Sequence, residues 1–210
     1  MTYHAVAVSL GCTLTAVALA GVTAIPVGAW LGFYHPRVRW PVIILRLGMS
    51  VPTVILGLFV FLLFTRRGLL GDLDLLYTRS AIVVGEFLLA FPLLGTLAHG
   101  MATSLSPVVI ETSLTLGAGR VRAMLRALGE CRGAIVAACL AGFGRCLTEL
   151  GIAYTVGGNV AGDTRTLPGA VQLELTRGDF AAALAPGIIL VALAFCVTLL
   201  AQWIAGESKR

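Results

Sequence analysis

Charged residues are scarce in this chain. Only 12% of its 210 residues are Asp, Glu, Lys or Arg, compared with roughly 25% in soluble domains, and lysine occurs once, as Lys209. Hydrophobic residues make up 58%, and the mean hydropathy is +0.96, which is more apolar surface than one domain interior can bury. The composition therefore excludes a water-soluble fold and predicts an all-α integral membrane protein, a single domain over residues 1–210.

Motifs for chemistry are also missing. There is no G-x-x-x-x-G-K-S/T loop to hold a nucleotide, no CxxC pair, no HExxH and no Ser/His pairing, which argues against an intramembrane enzyme. His99 has no second ligand at helical spacing, so no metal site is expected. The five cysteines are expected to be packing residues, and they are Cys12, Cys131, Cys139, Cys146 and Cys196.

Five nearly uncharged stretches are long enough to cross a bilayer, which takes about 20 residues each. The start of the chain lacks Lys and Arg, and its uncharged run continues to Tyr34, so the first stretch is expected to be a retained span rather than a cleaved leader. The predicted spans are residues 5–33, 42–64, 80–100, 133–156 and 181–204.

The distribution of Lys and Arg predicts the orientation. The loop after span one, the segment before span four and the C-terminal tail together carry nine, including Lys209 and Arg210, whereas the opposite side carries five. By the positive-inside rule the N-terminus is expected outside and the C-terminus in the cytoplasm of a multi-pass plasma-membrane protein. The same rule accounts for the net charge of +5 without a nucleic-acid partner.

The one long cytoplasmic segment, residues 106–132, reads as two short helices. Ser106 and Pro107 are an N-cap and a first-turn proline for a helix over Val108–Leu116, which Gly117 should end. Apolar residues then recur at helical spacing with arginines on the other side, which is typical of a basic amphipathic helix lying along the inner leaflet. The arginines are Arg120, Arg122 and Arg126.

The run from Glu111 to Gly117 resembles the EAA motif of the membrane subunits of type I ABC importers. Thr112 and Ser113 replace the two alanines of that motif, and the ending expected after the glycine is not present. In that family the short helix is the coupling helix, which fits a groove on the ATPase subunit. The resemblance implies a type I ABC importer permease fold, with Glu111, Thr112, Ser113 and Gly117 as positions that couple to the ATPase.

Three charged residues fall inside predicted spans: Glu86, Arg145 and Glu149. Such residues are costly in hydrocarbon unless they are paired or face a wet cavity. Arg145 and Glu149 are four residues apart and are expected to share a helix face, and Arg145 could reach either carboxylate. Two interpretations stay open: a buried ion pair that fixes helix register, or a gate at which Arg145 offers positive charge to an anion.

The predicted outer loop, residues 157–168, is rich in glycine and hydroxyl residues, a composition compatible with an anion-binding nest or an ordinary tight turn. The run from Gly144 to Gly151, followed by Asn159 and Arg165, resembles the tungstate and molybdate permease family, with most similarity to its tungstate members. The resemblance covers roughly residues 80–203. It marks Asn159 and Arg165 as outer-loop positions of interest.

The resemblance further implies partners and a cargo. The expected assembly is a homodimer in membrane lipid, with a separate subunit that binds ATP and Mg, so this chain itself needs no cofactor and is not an enzyme. An extracytoplasmic oxyanion-binding protein would deliver the cargo, most of all tungstate. Molybdate, sulfate or another small solute stays open as the cargo, and a passive channel is disfavoured because it would not need a coupling segment.

Overall fold

The computed structural model describes residues 2–207, with side chains through residue 204, so the C-terminal Lys209 and Arg210 of the orientation argument lie outside the described residues. The fold is all helical, and the described residues contain no strand. A short 3-10 turn, Gly71–Leu73, lies between the third and fourth helices. The helices are α1 (Thr2–Tyr34), α2 (Trp40–Ser50), α3 (Thr53–Phe64), α4 (Arg79–Ser104), α5 (Pro107–Thr115), α6 (Arg120–Glu130), α7 (Arg132–Leu147), α8 (Gly151–Gly157), α9 (Leu167–Thr176) and α10 (Phe180–Glu207).

Helices α1 and α4 form the centre of the bundle and pack along most of their length. The face that α1 buries carries a small residue at every fourth position. Small residues let two helix backbones approach closely, which drives association in a membrane, where burying apolar surface gives little gain. These residues of α1 are Cys12, Ala16, Ala20, Ala24, Gly28 and Gly32, all buried.

Two glycines of α1 mark the closest approach. A Cβ atom added at Gly28 would collide with the carbonyl oxygen of Gly95 and lie 3.0 Å from the Ala98 Cβ. A Cβ added at Gly32 would meet Ala102 and lie 3.0 Å from the His99 carbonyl oxygen. The α1–α4 contact at this end is therefore backbone against backbone, and no larger residue fits without separating the helices.

The second predicted span is not one helix. Residues 42–64 divide into α2 and α3, which meet at an angle of 98°. The cause is Pro52, which has no N–H to donate and forces the preceding residue out of the helical region. Val51 is accordingly extended, with φ −67° and ψ 127°. The predicted single span is therefore two helices that meet at this proline.

The fourth predicted span, residues 133–156, is also interrupted. Helix α7 ends at Leu147, and α8 starts at Gly151 after a three-residue break. The Thr148 hydroxyl donates to the carbonyl oxygens of Gly144 and Arg145, each at 3.2 Å, satisfying part of the open end of α7. Polar side chains thus replace the missing helical hydrogen bonds at this depth.

The number of crossings depends on how the bent pairs are counted. Three helices, α1, α4 and α10, are individually long and apolar enough to span a membrane. The total reaches five if the pairs α2–α3 and α6–α7, bent by 98° and 78°, each form one span. Five crossings therefore stay a prediction.

The segment between α4 and α7 folds as the sequence predicted. Helix α5 begins at Pro107, and Gly117 follows its end with φ +84°. Ser106 occupies the N-cap position, but its side chain makes no capping hydrogen bond. Helix α6 packs its buried residues Ala123 and Ala127 against Ile110 of α5 and, through partly buried neighbours, against the end of α1. The Tyr34 hydroxyl also donates to the Arg120 carbonyl oxygen at 2.6 Å.

The predicted outer loop contains the start of a helix that sequence analysis did not expect. Helix α9 begins at Leu167, after Thr166, whose hydroxyl accepts from the Gly169 N–H at 3.3 Å. The Leu167 N–H donates to the Ser9 hydroxyl at 2.8 Å, although the two residues are far apart in sequence. This bond fixes the start of α9 to α1.

The close approach of α1 and α4 leads to a matched pair of substitutions. We expect Gly28→Ala to destabilise the detergent-solubilised protein by about 1–3 kcal/mol, the usual cost of overpacking, because its methyl group meets the Gly95 carbonyl. Gly11→Ala on the same helix should cost nothing, since no atom lies within 4 Å of its added Cβ. Thermal unfolding of both variants measures the difference, and equal stability would contradict the packing described.

Candidate functional site

The break between α7 and α8 holds an ion pair. The Arg145 guanidinium Nη1 donates to Glu149 Oε2 at 2.8 Å. The prediction that the two residues share a helix face is wrong, because α7 ends at Leu147 and Glu149 lies beyond it. The pair forms because the chain turns after Leu147 and carries the carboxylate back to the last helical turn.

The other carboxylate oxygen of Glu149 supports α8. Glu149 Oε1 accepts from the Gly151 N–H at 2.8 Å, which satisfies one of the open donors at the start of that helix. The Glu149 side chain is only 5% exposed, whereas Arg145 is 44% exposed. A buried carboxylate therefore holds the broken span together from inside, while its cationic partner reaches the bundle surface.

The breaks of the second and fourth spans lie against each other. A Cβ added at Gly151 would lie 3.2 Å from the Val54 amide nitrogen in the first turn of α3. A Cβ added at Gly57 would lie 3.2 Å from the Gly151 carbonyl oxygen. Helices α3 and α8 thus pack through glycines, next to the Arg145–Glu149 pair, and this juxtaposition was not predicted.

Glu86, the third predicted charge, lies apart from Arg145. Its side chain is 2% exposed, and its Oε2 atom has no hydrogen-bond partner in the part of the chain that the structure describes. Its backbone carbonyl accepts from the Cys146 thiol at 3.7 Å, which connects α4 to α7. Arg145 therefore bridges to Glu149 and not to Glu86.

A groove of about 470 Å³ runs along the contact between α7 and α10 and contains Arg145. Polar groups from both helices line it, together with small residues that keep it open. Exposed polar groups are not expected to face hydrocarbon, so water or another protein surface is expected to cover this face. The polar lining residues are Arg145, Thr148, Thr198 and Gln202.

The turn between α8 and α9, predicted to lie outside, brings Asn159 and Arg165 together. Arg165 Nη2 donates to the Asn159 carbonyl oxygen at 3.4 Å, and Asn159 Nδ2 donates to the Gly169 carbonyl oxygen at 3.1 Å. The buried Thr164 hydroxyl donates to the Gly157 carbonyl and accepts from the Val160 N–H at 3.0 Å. These polar groups hold the turn and the start of α9 in place.

The predicted coupling positions lie on α5 and at its end. Glu111 and Thr112 are exposed, whereas Ser113 is 9% exposed and donates to the Val109 carbonyl oxygen at 2.9 Å. The Ala118 N–H donates to the Ser113 carbonyl oxygen at 3.0 Å, so the chain leaves α5 through the positive φ of Gly117. The helix therefore presents Glu111 outward at the end of the bundle near Tyr34.

Two features of the fold, the break in the second span and the packing face of α1, had signals in the sequence that were not recognised. Pro52 with its preceding valine could have indicated the break in the second span. The four-residue recurrence of small residues in α1 could have indicated its packing face. The contact between α3 and α8 had no local signal, because residues nearly 100 positions apart create it.

Comparison with known proteins matches this architecture to a family of transport proteins. The family model for the binding-protein-dependent transport system inner membrane component matches residues 24–208. The chain is 31% identical to a tungstate uptake system permease protein of Peptoclostridium acidaminophilum, with 93% of this chain and 86% of that protein covered.

Two further relatives cover nearly the whole chain. A probable anion ABC transporter permease protein of Haloferax volcanii is 34% identical over 92% of this chain and 86% of its own length. A molybdenum transport system permease protein of Escherichia coli is 26% identical over 94% of this chain and 92% of its own length. With its several apolar helices, the chain belongs to the binding-protein-dependent transport system inner membrane component family, as a multi-pass membrane permease subunit.

Proposed function

We propose that this chain is the translocation subunit of an ATP-driven importer for an oxyanion, with tungstate as the cargo. The relatives named for tungstate and for an anion are 31% and 34% identical to it, whereas the molybdenum relative is 26% identical. This difference favours tungstate, and molybdate is the second candidate. Both are divalent oxyanions of the same shape, so the same path would carry either.

The path lies between two copies of this chain. The observation that carries this proposal is Arg145, a cation 44% exposed on the bundle surface. It lies about 20 Å along α7 from Arg132, at 1.5 Å per residue, which is within the thickness of the hydrocarbon region. A second copy facing the groove between α7 and α10 would remove these polar groups from lipid and enclose a wet path lined with positive charge.

Partner subunits act at the two ends of the bundle. Helix α5, with Glu111 and Thr112 exposed, contacts the subunit that binds ATP and Mg. A binding protein outside the cell delivers the anion to the opposite end, where Asn159 and Arg165 hold the outer turn. ATP binding and hydrolysis shift the dimer between inward-open and outward-open states, and α5 transmits the change.

Charge supports the proposed orientation with the C-terminus in the cytoplasm. The Tyr34–Arg120 contact brings the α1–α2 loop and the α5–α6 segment to the same end of the bundle. That end carries most of the arginines of the loops, as the positive-inside rule requires of a cytoplasmic side. They are Arg37, Arg39, Arg120, Arg122, Arg126 and Arg132.

Reconstitution tests the proposed activity. Proteoliposomes containing this chain, its ATP-binding subunit and its binding protein should accumulate tungstate only when ATP is supplied, as measured by mass spectrometry of the trapped metal. A tenfold excess of molybdate should lower this tungstate accumulation only slightly, and the same excess of sulfate less again. Tungstate flux through this chain alone, without ATP or partners, would instead indicate a passive channel.

Substitution of Arg145 distinguishes its two interpretations, an ion pair that fixes helix register and a cation that lines the translocation path. We expect Arg145→Gln to lower stability by about 3 kcal/mol, because it leaves the buried Glu149 carboxylate without its partner. The double variant Arg145→Gln/Glu149→Gln should recover at least half of that loss in thermal unfolding. If Arg145 lines the path, ATP-dependent uptake by the double variant stays at least tenfold below wild type even though its stability has recovered. Uptake restored together with stability would leave Arg145 with a structural role alone.

Gly117 offers a test of the coupling segment with a matched control. Gly117→Ala places a side chain at φ +84°, at a cost of roughly 1–2 kcal/mol, and should weaken binding of the ATP-binding subunit by up to about tenfold. Gly119→Ala, two residues away with φ −67° and open space around its Cβ, should bind normally. Equal binding of both variants would contradict a role for the geometry of the α5 end.

A further inference from the structure

A groove of about 620 Å³ runs between α5 and α6 at the end of the bundle that carries Glu111. One wall comes from α5 and the turn after it, and the other wall comes from one side of α6. The groove is distinct from the exposed position of Glu111, which does not line it. Its lining residues are Val108, Val109, Thr112, Ser113, Leu116, Gly117, Ala118, Arg122, Arg126 and Glu130.

The packing of α6 directs two arginines into this groove. Ala123 and Ala127 are fully buried against Ile110 and its neighbours, which fixes the rotation of the helix. Arg122 and Arg126, each one residue before a buried alanine, are one helical turn apart on the side toward α5 and are exposed. They therefore form a pair of cations at a spacing that one partner segment can contact.

These two cations have no ion-pair partner among the described residues. Glu130 is the one carboxylate that lines the groove, so the lining charge is net positive. The start of α6 adds to it, because its N-cap residue Gly119 provides no side-chain hydrogen bond to the first-turn N–H groups. Arg120, in contrast, lies 5.8 Å from the centre of the Tyr34 ring and contacts the bundle itself.

We infer that this groove receives an acidic segment of the ATP-binding subunit, whose carboxylates pair with Arg122 and Arg126. The inference rests on the proposed function, in which α5 contacts that subunit. Since α5 forms one wall of the groove, a protein seated on α5 also covers the groove. Its positive charge selects carboxylates, and arginine can hold a carboxylate through two parallel hydrogen bonds.

The groove and the exposed apolar surface of α6 lie on different sides of that helix. The exposed apolar residues of α6, Val121 and Leu125, lie on a different side of the helix from Arg122 and Arg126. Insertion of that apolar side into a leaflet leaves the groove beside α5 open. The groove is thus available to a protein partner even where α6 touches lipid.

Binding of the tagged ATP-binding subunit to the full-length chain tests the inference. The complex is formed in detergent without added lipid, and its affinity is measured by fluorescence titration at 50 and 500 mM NaCl. The wild-type complex should weaken as salt rises, because exposed charges are screened. Arg122→Glu/Arg126→Glu should weaken it at least tenfold at low salt, and Arg122→Gln/Arg126→Gln by an intermediate amount.

A control with the same charge change lies at the same end of the bundle. Arg37→Glu/Arg39→Glu alters exposed arginines in the α1–α2 loop, outside the groove, and should change affinity less than twofold. All variants are compared by thermal unfolding, and if the Glu pair unfolds early, the Gln pair decides. A Lys substitution of an acidic residue on the ATP-binding subunit that restores binding to the Glu pair would identify the occupant.

The outcomes separate the two proposals. Wild-type affinity in both groove variants overturns the inference, while wild-type complex formation still supports the proposed function. Equal weakening by the control pair also overturns it, because general charge rather than the groove would then be responsible. The titration is repeated in anionic lipid vesicles; if the groove variants lose affinity there but not in detergent, the arginines act on lipid and the inference is overturned as well. A wild-type chain that binds no ATP-binding subunit refutes the proposed function itself.

Discussion

The backbone contact between α1 and α4 is the constraint on which the rest of the structure depends. In a bilayer, burying apolar side chains against one another gains little over burying them in lipid, so close packing must hold the helices together. The small residues from Cys12 to Gly32 provide that packing. Other elements are then fixed to this pair: α9 through the Ser9 hydroxyl, α6 through Tyr34, and α7 through the Glu86 carbonyl.

Around this rigid pair, the two interrupted spans concentrate the polar groups. Hydrocarbon leaves no water to satisfy an open helix end, so each break needs its own donors and acceptors. At the fourth span the Glu149 carboxylate is the acceptor, receiving hydrogen bonds from the Gly151 N–H and from Arg145. The Thr148 hydroxyl is the donor to the carbonyl end of α7. The same arrangement brings an arginine to the surface at membrane depth. One ion pair thus supports the break and, in the proposed function, also offers positive charge to an anion.

The reliability of the sequence-based predictions followed the range of the interactions involved. The α5 segment was predicted closely because Pro107 at its first turn and Gly117 after its end act on the residues beside them. The α2–α3 span was predicted as one helix because its apolar composition continues through Pro52, and composition does not report a bend. The start of α9 was missed although Thr166 and Pro168 mark it locally, as its N-cap and first-turn proline; only the bond from its first N–H to Ser9 on α1, 158 positions away, had no local signal. The orientation and the number of crossings stay predictions.

The sequence alone determined that this chain is an integral membrane protein, that its charges collect in a few loops, and that one segment resembles the EAA motif of importer subunits. These properties depend on composition and local pattern, which the linear chain contains in full. The tertiary structure decided which carboxylate Arg145 meets, which backbones touch, and that Arg122 and Arg126 line one groove beside α5. Such decisions depend on helix rotation and on breaks, which are fixed only when distant small residues pack together.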